Sequence, residues 1–282
     1  MHDFRLIDEA FDINKTSGCH LSIQAGLDGL SFTIFDPSKS KYIALKHWAF
    51  GEEIPEYKYP DTLNKLLNED EFLQKEFMSI FCIWNNSRTT LLPSVLFEKG
   101  EIRQYFEFNQ VLNDLDELHA ELIKSLDAYL IFPIHHEISN VFIKQYPALK
   151  FFNQAIPFIE YTMHHHDAAT DTVHLNMYDN FFDIIVMRNK SLILHNTFNY
   201  RYIQDLAYFV MNVYDKVSLD PGKVPVFISG RVEKNSDKIN HLRKFIKTIR
   251  FSIQDNRFNY SYTFDRIPEH YFVTLFNLYL CG

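Results

Sequence analysis

Leu21-Ser-Ile-Gln-Ala-Gly-Leu-Asp-Gly-Leu-Ser-Phe-Thr-Ile-Phe35 alternates apolar and polar residues, turns at Asp28-Gly29 and alternates again. A period of two on either side of an Asp-Gly pair predicts a β-hairpin. The pattern returns in Val173-His-Leu-Asn-Met-Tyr-Asp-Asn-Phe-Phe-Asp-Ile-Ile-Val-Met187, which turns at Asp179-Asn180. A recurrence at this distance predicts a repeated α/β unit, with lobes over residues 1–165 and 166–282.

The segments after each hairpin support the repeat. A third strand is expected at 42–48 and again at 192–197, then a helix, capped by Asp61 in the first half and spanning 202–217 in the second. Buried apolar strands are expected at 78–84 and 224–228. In the first half, Leu115, Leu118, Leu122 and Leu126 predict a helix within 113–126, and 128–132 a strand ended by Pro133. Ile138, Val141, Phe142 and Tyr146 predict a helix stopped at Pro147, and 151–162 one more strand. In the second half, Ser236 is a cap for a helix bearing Ile239, Leu242, Phe245, Ile246 and Ile249, followed by a strand at 251–253 and an apolar helix at 271–280.

Composition narrows the function classes. The 282 residues are 46% hydrophobic and 16% aromatic, which is globular rather than disordered material. A net charge of −8 repels phosphate backbones, so nucleic acid is not an expected partner. Cys19, Cys82 and Cys281 are odd in number and far apart, the usage of reduced thiols in the cytoplasm. The first residues carry acids where a signal peptide carries bases, and no apolar run approaches a membrane span, so neither export nor direct membrane insertion is expected.

In this order, the 21–35 hairpin, Thr90-Leu-Leu-Pro-Ser-Val-Leu-Phe97, the 174–187 hairpin, Leu194-His-Asn-Thr-Phe-Asn-Tyr-Arg-Tyr202 and Val226-Phe-Ile-Ser-Gly230 resemble the actin-like ATPase superfamily. That superfamily includes actin, sugar kinases and heat-shock chaperones. The chain looks closest to its divergent bacterial branch of division, pilus and secretion assembly proteins and to an uncharacterised bacterial family of the same fold. The resemblance implies a duplicated actin-like (ribonuclease H-like) α/β fold of two βββαβαβα lobes. It also implies a nucleotide site in which an Asp-x-Gly hairpin from each lobe and a Gly-rich turn hold ATP. Carried over by position, those sites fall on Gln24 and Gly26, on Asn176 and Tyr178, and on Ser229 and Gly230. Neutral Gln24 and Asn176 cannot hold hydrated Mg²⁺ as carboxylates do, and Tyr178 puts a ring where backbone should approach phosphate. Only 8 glycines are present, and neither Gly-x-x-x-x-Gly-Lys nor Gly-x-Gly-x-x-Gly occurs.

Other candidates have ordinary readings. Turns select Asp28 and Asp179 for local hydrogen bonds, and Asp183, which interrupts an apolar run, reads as the solvent side of an edge strand. His164-His165-His166-Asp167 is a possible metal cluster, although adjacent side chains diverge. No serine or cysteine has a nucleophile's setting. Arg243, Lys244, Lys247 and Arg250 form a basic cluster open to an acidic partner, and Tyr and Phe among polar residues at 258–264 suit a protein contact. The expectation is a non-catalytic interaction or assembly platform with a degenerate nucleotide site, no bound cofactor, an unidentified protein partner and scope for oligomers. The alternatives are an ATP-dependent phosphotransferase or ATPase recruiting Asp28, Asp179 or Asp183, and a metal protein using His164, His165 and His166.

Overall fold

The chain forms two compact units, and a computed structural model describes residues 3–50, 58–166 and 170–282 of it. One unit comprises Met1–Pro157, Asp255–Ile267 and Leu275–Gly282; the other comprises Phe158–Gln254 and Pro268–Thr274.

In the first unit, β1 (Phe4–Ile7), β2 (His20–Gly26), β3 (Gly29–Asp36) and β4 (Lys41–Ala49) pair antiparallel in the order β1-β4-β3-β2. Helix α1 (Tyr59–Glu69) then leads to β5 (Ser79–Trp84), which lies parallel to β2. β6 (Thr90–Pro93), α2 (Ile102–Glu107), β7 (Asp116–Ile123) and β8 (Ala128–His135) build a separate sheet in the order β6-β8-β7. Helix α3 (His136–Gln145) returns the chain to β9 (Lys150–Asn153), parallel to β5. Helix α4 (Ala155–His165) begins in this unit and continues in the next.

The second unit repeats the plan without the inserted sheet. β10 (Thr172–Met177), β11 (Phe181–Arg188) and β12 (Ser191–Asn199) are antiparallel. Helix α5 (Ile203–Lys216), β13 (Val226–Gly230), α6 (Asp237–Leu242) and β14 (Ile249–Phe251) follow, giving the order β12-β11-β10-β13-β14. The matching path in the first unit is β4-β3-β2-β5-β9, with two parallel strands again following in succession on one side of the first hairpin strand. The chain then returns to the first unit, where β15 (Asn259–Tyr260) pairs with β4, before the short helix α7 (Val273–Asn277).

Alternation puts one face of each hairpin into an apolar core. Val173, Leu175, Met177, Phe182, Ile184 and Val186 pack with Leu206, Val210 and Tyr214 of α5 and Ile239 and Leu242 of α6. Each such side chain contributes about 1.5–3 kcal/mol on burial. The polar face is covered as well, so its groups find partners inside the protein. In the first unit His20 bonds Ser79 and Ser22, Ser31 bonds His47, and Thr33 donates to the Ala44 carbonyl.

Several local expectations give way to tertiary pairing. Residues 113–126 hold a strand, not a helix: β7 pairs along its length with β8, because Asp116, Leu118, Ala120 and Leu122 also alternate and the partner strand selects that period. Residues 151–162 are mostly helix, since Asn153 accepts from the Ala155 amide and starts α4. β8 runs through Pro133 to His135, because by then it has passed the end of β6 and pairs only with β7. α1 starts at Tyr59 with no side-chain cap, leaving Asp61 in its first turn. Helix α6 is short, and Ser236 makes no capping bond. The first hairpin turns through Leu27 and Asp28, with Gly29 already paired with Gly26.

Candidate functional site

In the first unit the carboxyl ends of the parallel strands β2, β5 and β9 gather amide side chains, the position where α/β sheets place ligands. Gln24 Nε2 donates to Asn85 Oδ1 at 3.1 Å, and the Asn85 amide donates to the Ala25 carbonyl at 2.8 Å. The Asn86 amide donates to Gln154 Oε1, while its carbonyl accepts from both Asn153 and Gln154 at 3.0 Å. A Cβ on Gly26 would lie 2.7 Å from Asn85 Nδ2 and 2.8 Å from Asp28 Oδ1, and the Gly26 carbonyl accepts from the buried Tyr59 hydroxyl. The sequence reading missed Asn85, Asn86, Asn153 and Gln154. Their signal was paired amides immediately after two apolar strands.

In the second unit the register sets Thr197, Asp183, Asn176 and Ser229 side by side across β12, β11, β10 and β13. Thr197 Oγ1 donates to Asp183 Oδ1 at 2.7 Å, and Ser229 Oγ to Asn176 Oδ1 at 3.1 Å. Asn176 Nδ2 donates to the Tyr178 hydroxyl at 2.7 Å, and the Tyr178 ring stacks on Phe181 with centroids 4.3 Å apart. Gly230 has φ +95°; a Cβ there would lie 2.7 Å from the Met177 amide nitrogen and closer still to its carbonyl oxygen. Only glycine fits where β13 ends against the β10 backbone. The Gly230 N–H, the kind of donor that cradles a phosphate, is bonded to the His270 carbonyl at 2.8 Å.

The three acids stand in different settings. Asp183 is fully buried in β11, which has a strand on either side; the expected solvent-facing edge position is corrected by that central place in the sheet. His195 Nε2 lies 4.0 Å from its carboxylate, and burial depresses the His195 pKa to about 4. The Asp179 turn is clasped by Lys238, whose Nζ donates to the Asp179 carbonyl at 3.3 Å and the Tyr200 hydroxyl at 2.7 Å. Burial lowers the Lys238 pKa, against the pull of Asp179. Asp28 lies in the two-residue hairpin loop, its carbonyl accepting from the Phe50 amide.

The histidine cluster does not converge. His165 Nδ1 bonds the Tyr161 carbonyl one turn back, His166 Nδ1 bonds Thr172 Oγ1, and His164 is exposed; Asp167 is outside the described residues. Among the described residues no three His, Cys, Asp or Glu side chains come together as metal ligands. His135 caps α3, accepting from the Glu137 amide at 3.3 Å. Burial raises the Cys19 and Cys82 thiol pKa values, the opposite of activation.

A triphosphate with Mg²⁺ calls for carboxylates, free backbone donors and room. Gln24 and Asn176 carry no charge, the Gly230 donor is taken, and Tyr178 brings bulk. The residues present do not fit that group.

Comparisons agree on the fold. A Bacteroides thetaiotaomicron protein with actin-like ATPase fold and unknown function superposes with a TM-score of 0.82 at 19% identity, over 96% of this chain and 99% of that one. The PilM–PilN type IV pilus biogenesis complex contains a chain matching with a TM-score of 0.61 at 10% identity, over 93% of this chain and 97% of its own. At these identities the likeness establishes the actin-like fold alone. No curated protein matches the chain. No helix among the described residues is long and apolar enough to cross a membrane. The model of one family, described as protein of unknown function (DUF3822), matches residues 8–249, and the chain belongs to that family.

Proposed function

We propose that this protein is a duplicated actin-like scaffold whose nucleotide site has degenerated and whose surface serves as an assembly or protein-interaction platform in the cytoplasm. The observation that carries the reading is the fate of the Gly230 amide. A donor suited to phosphate is bonded to His270, and the neighbouring Asn176, Tyr178 and Ser229 bond one another. Two neutral residues stand where the resemblance calls for acids, so a metal-bound phosphate would meet no compensating charge. The PilM–PilN complex, in which a protein of this fold is bound to another protein, supports the platform role. Buried thiols outside any disulfide, at Cys19, Cys82 and Cys281, suit a reducing compartment.

Isothermal titration with Mg-ATP tests the reading. The expected result is no heat of binding at micromolar nucleotide and no released phosphate. Micromolar affinity accompanied by turnover overturns it.

A further inference from the structure

The third strands of the two repeats match closely, yet only one has its outer edge covered. β4 and β12 are each 9 residues long and each is bulged at the same place, where Ile43 and Ile193 fall out of register with the preceding strand. The outer edge of β4 is filled from elsewhere in the chain. β1 pairs antiparallel with residues 44–47 and β15 parallel with Lys41 and Tyr42, so the bulge divides that edge between two short strands. β12 ends its own sheet, and among the described residues no strand pairs with its outer side.

That edge lacks the devices that keep strands from pairing. Ser191-Leu-Ile-Leu-His-Asn-Thr-Phe-Asn199 holds no charge and no proline. The Tyr200 amide turns inward to the Asn180 carbonyl, and antiparallel bonding alternates, so the N–H groups of His195, Thr197 and Asn199 point outward. The Thr197 N–H donates at 2.9 Å to the exposed side chain of its neighbour Asn196, a stand-in for the carbonyl of an added strand. Beside the edge, Leu194, Phe198 and Phe209 are half-buried against the core, with the Phe198 and Phe209 rings stacked at 4.8 Å. These three form an apolar shelf along α5.

The covered edge shows what a guest strand needs. β1 has only 4 residues, and its Leu6, opposite Leu45, is buried. Directly after it the Asp8 amide donates to the Ile43 carbonyl at 2.8 Å, and the Asp8 carboxylate meets Lys41 at 2.6 Å. On β12, Ser191 stands where β4 has Lys41, and Lys190 just before it is exposed and in no ion pair among the described residues.

We infer that the outer edge of β12 receives an extended segment of another protein, added antiparallel opposite residues 194–197, with apolar side chains over the shelf and an acid at its C-terminal end reaching Lys190. Guest residues opposite Leu194 and Asn196 fall on the α5 side, where cross-strand neighbours reward large apolar groups. A straight strand as short as β1 ends before the bulge. A second β12 would instead bring a bulge of its own into the ladder, so the edge favours a different chain over another copy. The inference rests on the platform reading and names the form of the partner. The nucleotide titration reads the site and the experiment below reads the edge, so either can fail alone.

Amide hydrogen exchange on the full chain is the test, with a synthetic peptide of residues 3–10 carrying Arg5→Leu as the probe. At a peptide concentration about ten times its Kd, exchange at His195 and Asn199 is expected to slow by about tenfold, while β1 and β4 keep their protection. The Asp8 amide faces its partner strand, so by alternation the Leu6 amide does too and the Ile7 amide faces away. N-methylation of the peptide at Leu6 is therefore expected to abolish the slowing, and N-methylation at Ile7 to preserve it. No slowing up to millimolar peptide, or equal effects of the two methyl groups, overturns the proposal. Faster exchange in β1 overturns it as well, because the peptide would then have taken β4. So does protection of His195 and Asn199 that grows with protein concentration alone, which would make the occupant a second copy.

Discussion

The Gly230 amide donates to the His270 carbonyl over 2.8 Å, tying the end of β13 to the 268–274 segment of the same unit. Gly230 also sits at φ +95° with no space for a Cβ beside Met177. Its glycine character is therefore a packing requirement within the sheet.

Gly230→Ala is expected to destabilise the protein by about 3 kcal/mol or more, because strain and a backbone clash add. Gly100→Ala, where nothing lies within 4 Å of the new methyl, is the control and should leave the urea midpoint in place. Equal midpoints for the two would refute the packing role.

Acid should destabilise the fold before its carboxylates titrate. Burial holds the His20 and His174 pKa values at about 3. An unfolded histidine takes up a proton below about pH 6.5, so between these values the unfolded state binds more protons and stability falls as pH falls. Each histidine removes about 2 kcal/mol by about pH 5. Urea melts at neutral and mildly acidic pH read this slope. His174→Gln should roughly halve the part due to these two residues, and a pH-independent midpoint would refute the assignment.

Arg88 grips Asp116 with both terminal nitrogens, one at 3.1 Å, and the aspartate side chain is 2% exposed. Arg88→Ala leaves that carboxylate buried without its cation, with the Asn113 amide still donating to it, a loss of about 3 kcal/mol. The damage should be local. Hydrogen exchange is expected to quicken in β6, β7 and β8 while β2 and β3 stay protected, and uniform protection would show that the pair holds nothing in place.

Tyr42 on β4 is fully buried and its hydroxyl donates to the Phe276 carbonyl, fastening the end of the chain to the first unit. Tyr42→Phe leaves that carbonyl without its donor and should cost about 1–3 kcal/mol, seen as a lower melting temperature. An unchanged melting temperature would mean that the carbonyl finds another donor.

Much of this architecture is written locally. The Asp28 and Asp179 turns, the alternation at 21–35 and 173–187 and the helical spacing at 202–217 mark elements that the structure contains, since hairpins and amphipathic helices depend on neighbours in sequence. The candidate site was only half legible. Gln24, Asn176, Tyr178 and Ser229 are evident in the sequence as candidates, but Asn85 and the hydrogen bonds that join these side chains emerge only in the folded sheet.

By itself the sequence determined the two hairpins, the third strand and the first helix that follow each, and the apolar face of each hairpin. Tertiary structure alone decided that 116–123 is a strand, because leucines spaced for a helix also alternate, and only pairing with β8 distinguishes the two periods. It also decided that the polar faces are buried and that Asp183 lies inside the sheet. A period of two says that two faces differ, while what covers each face depends on residues far along the chain.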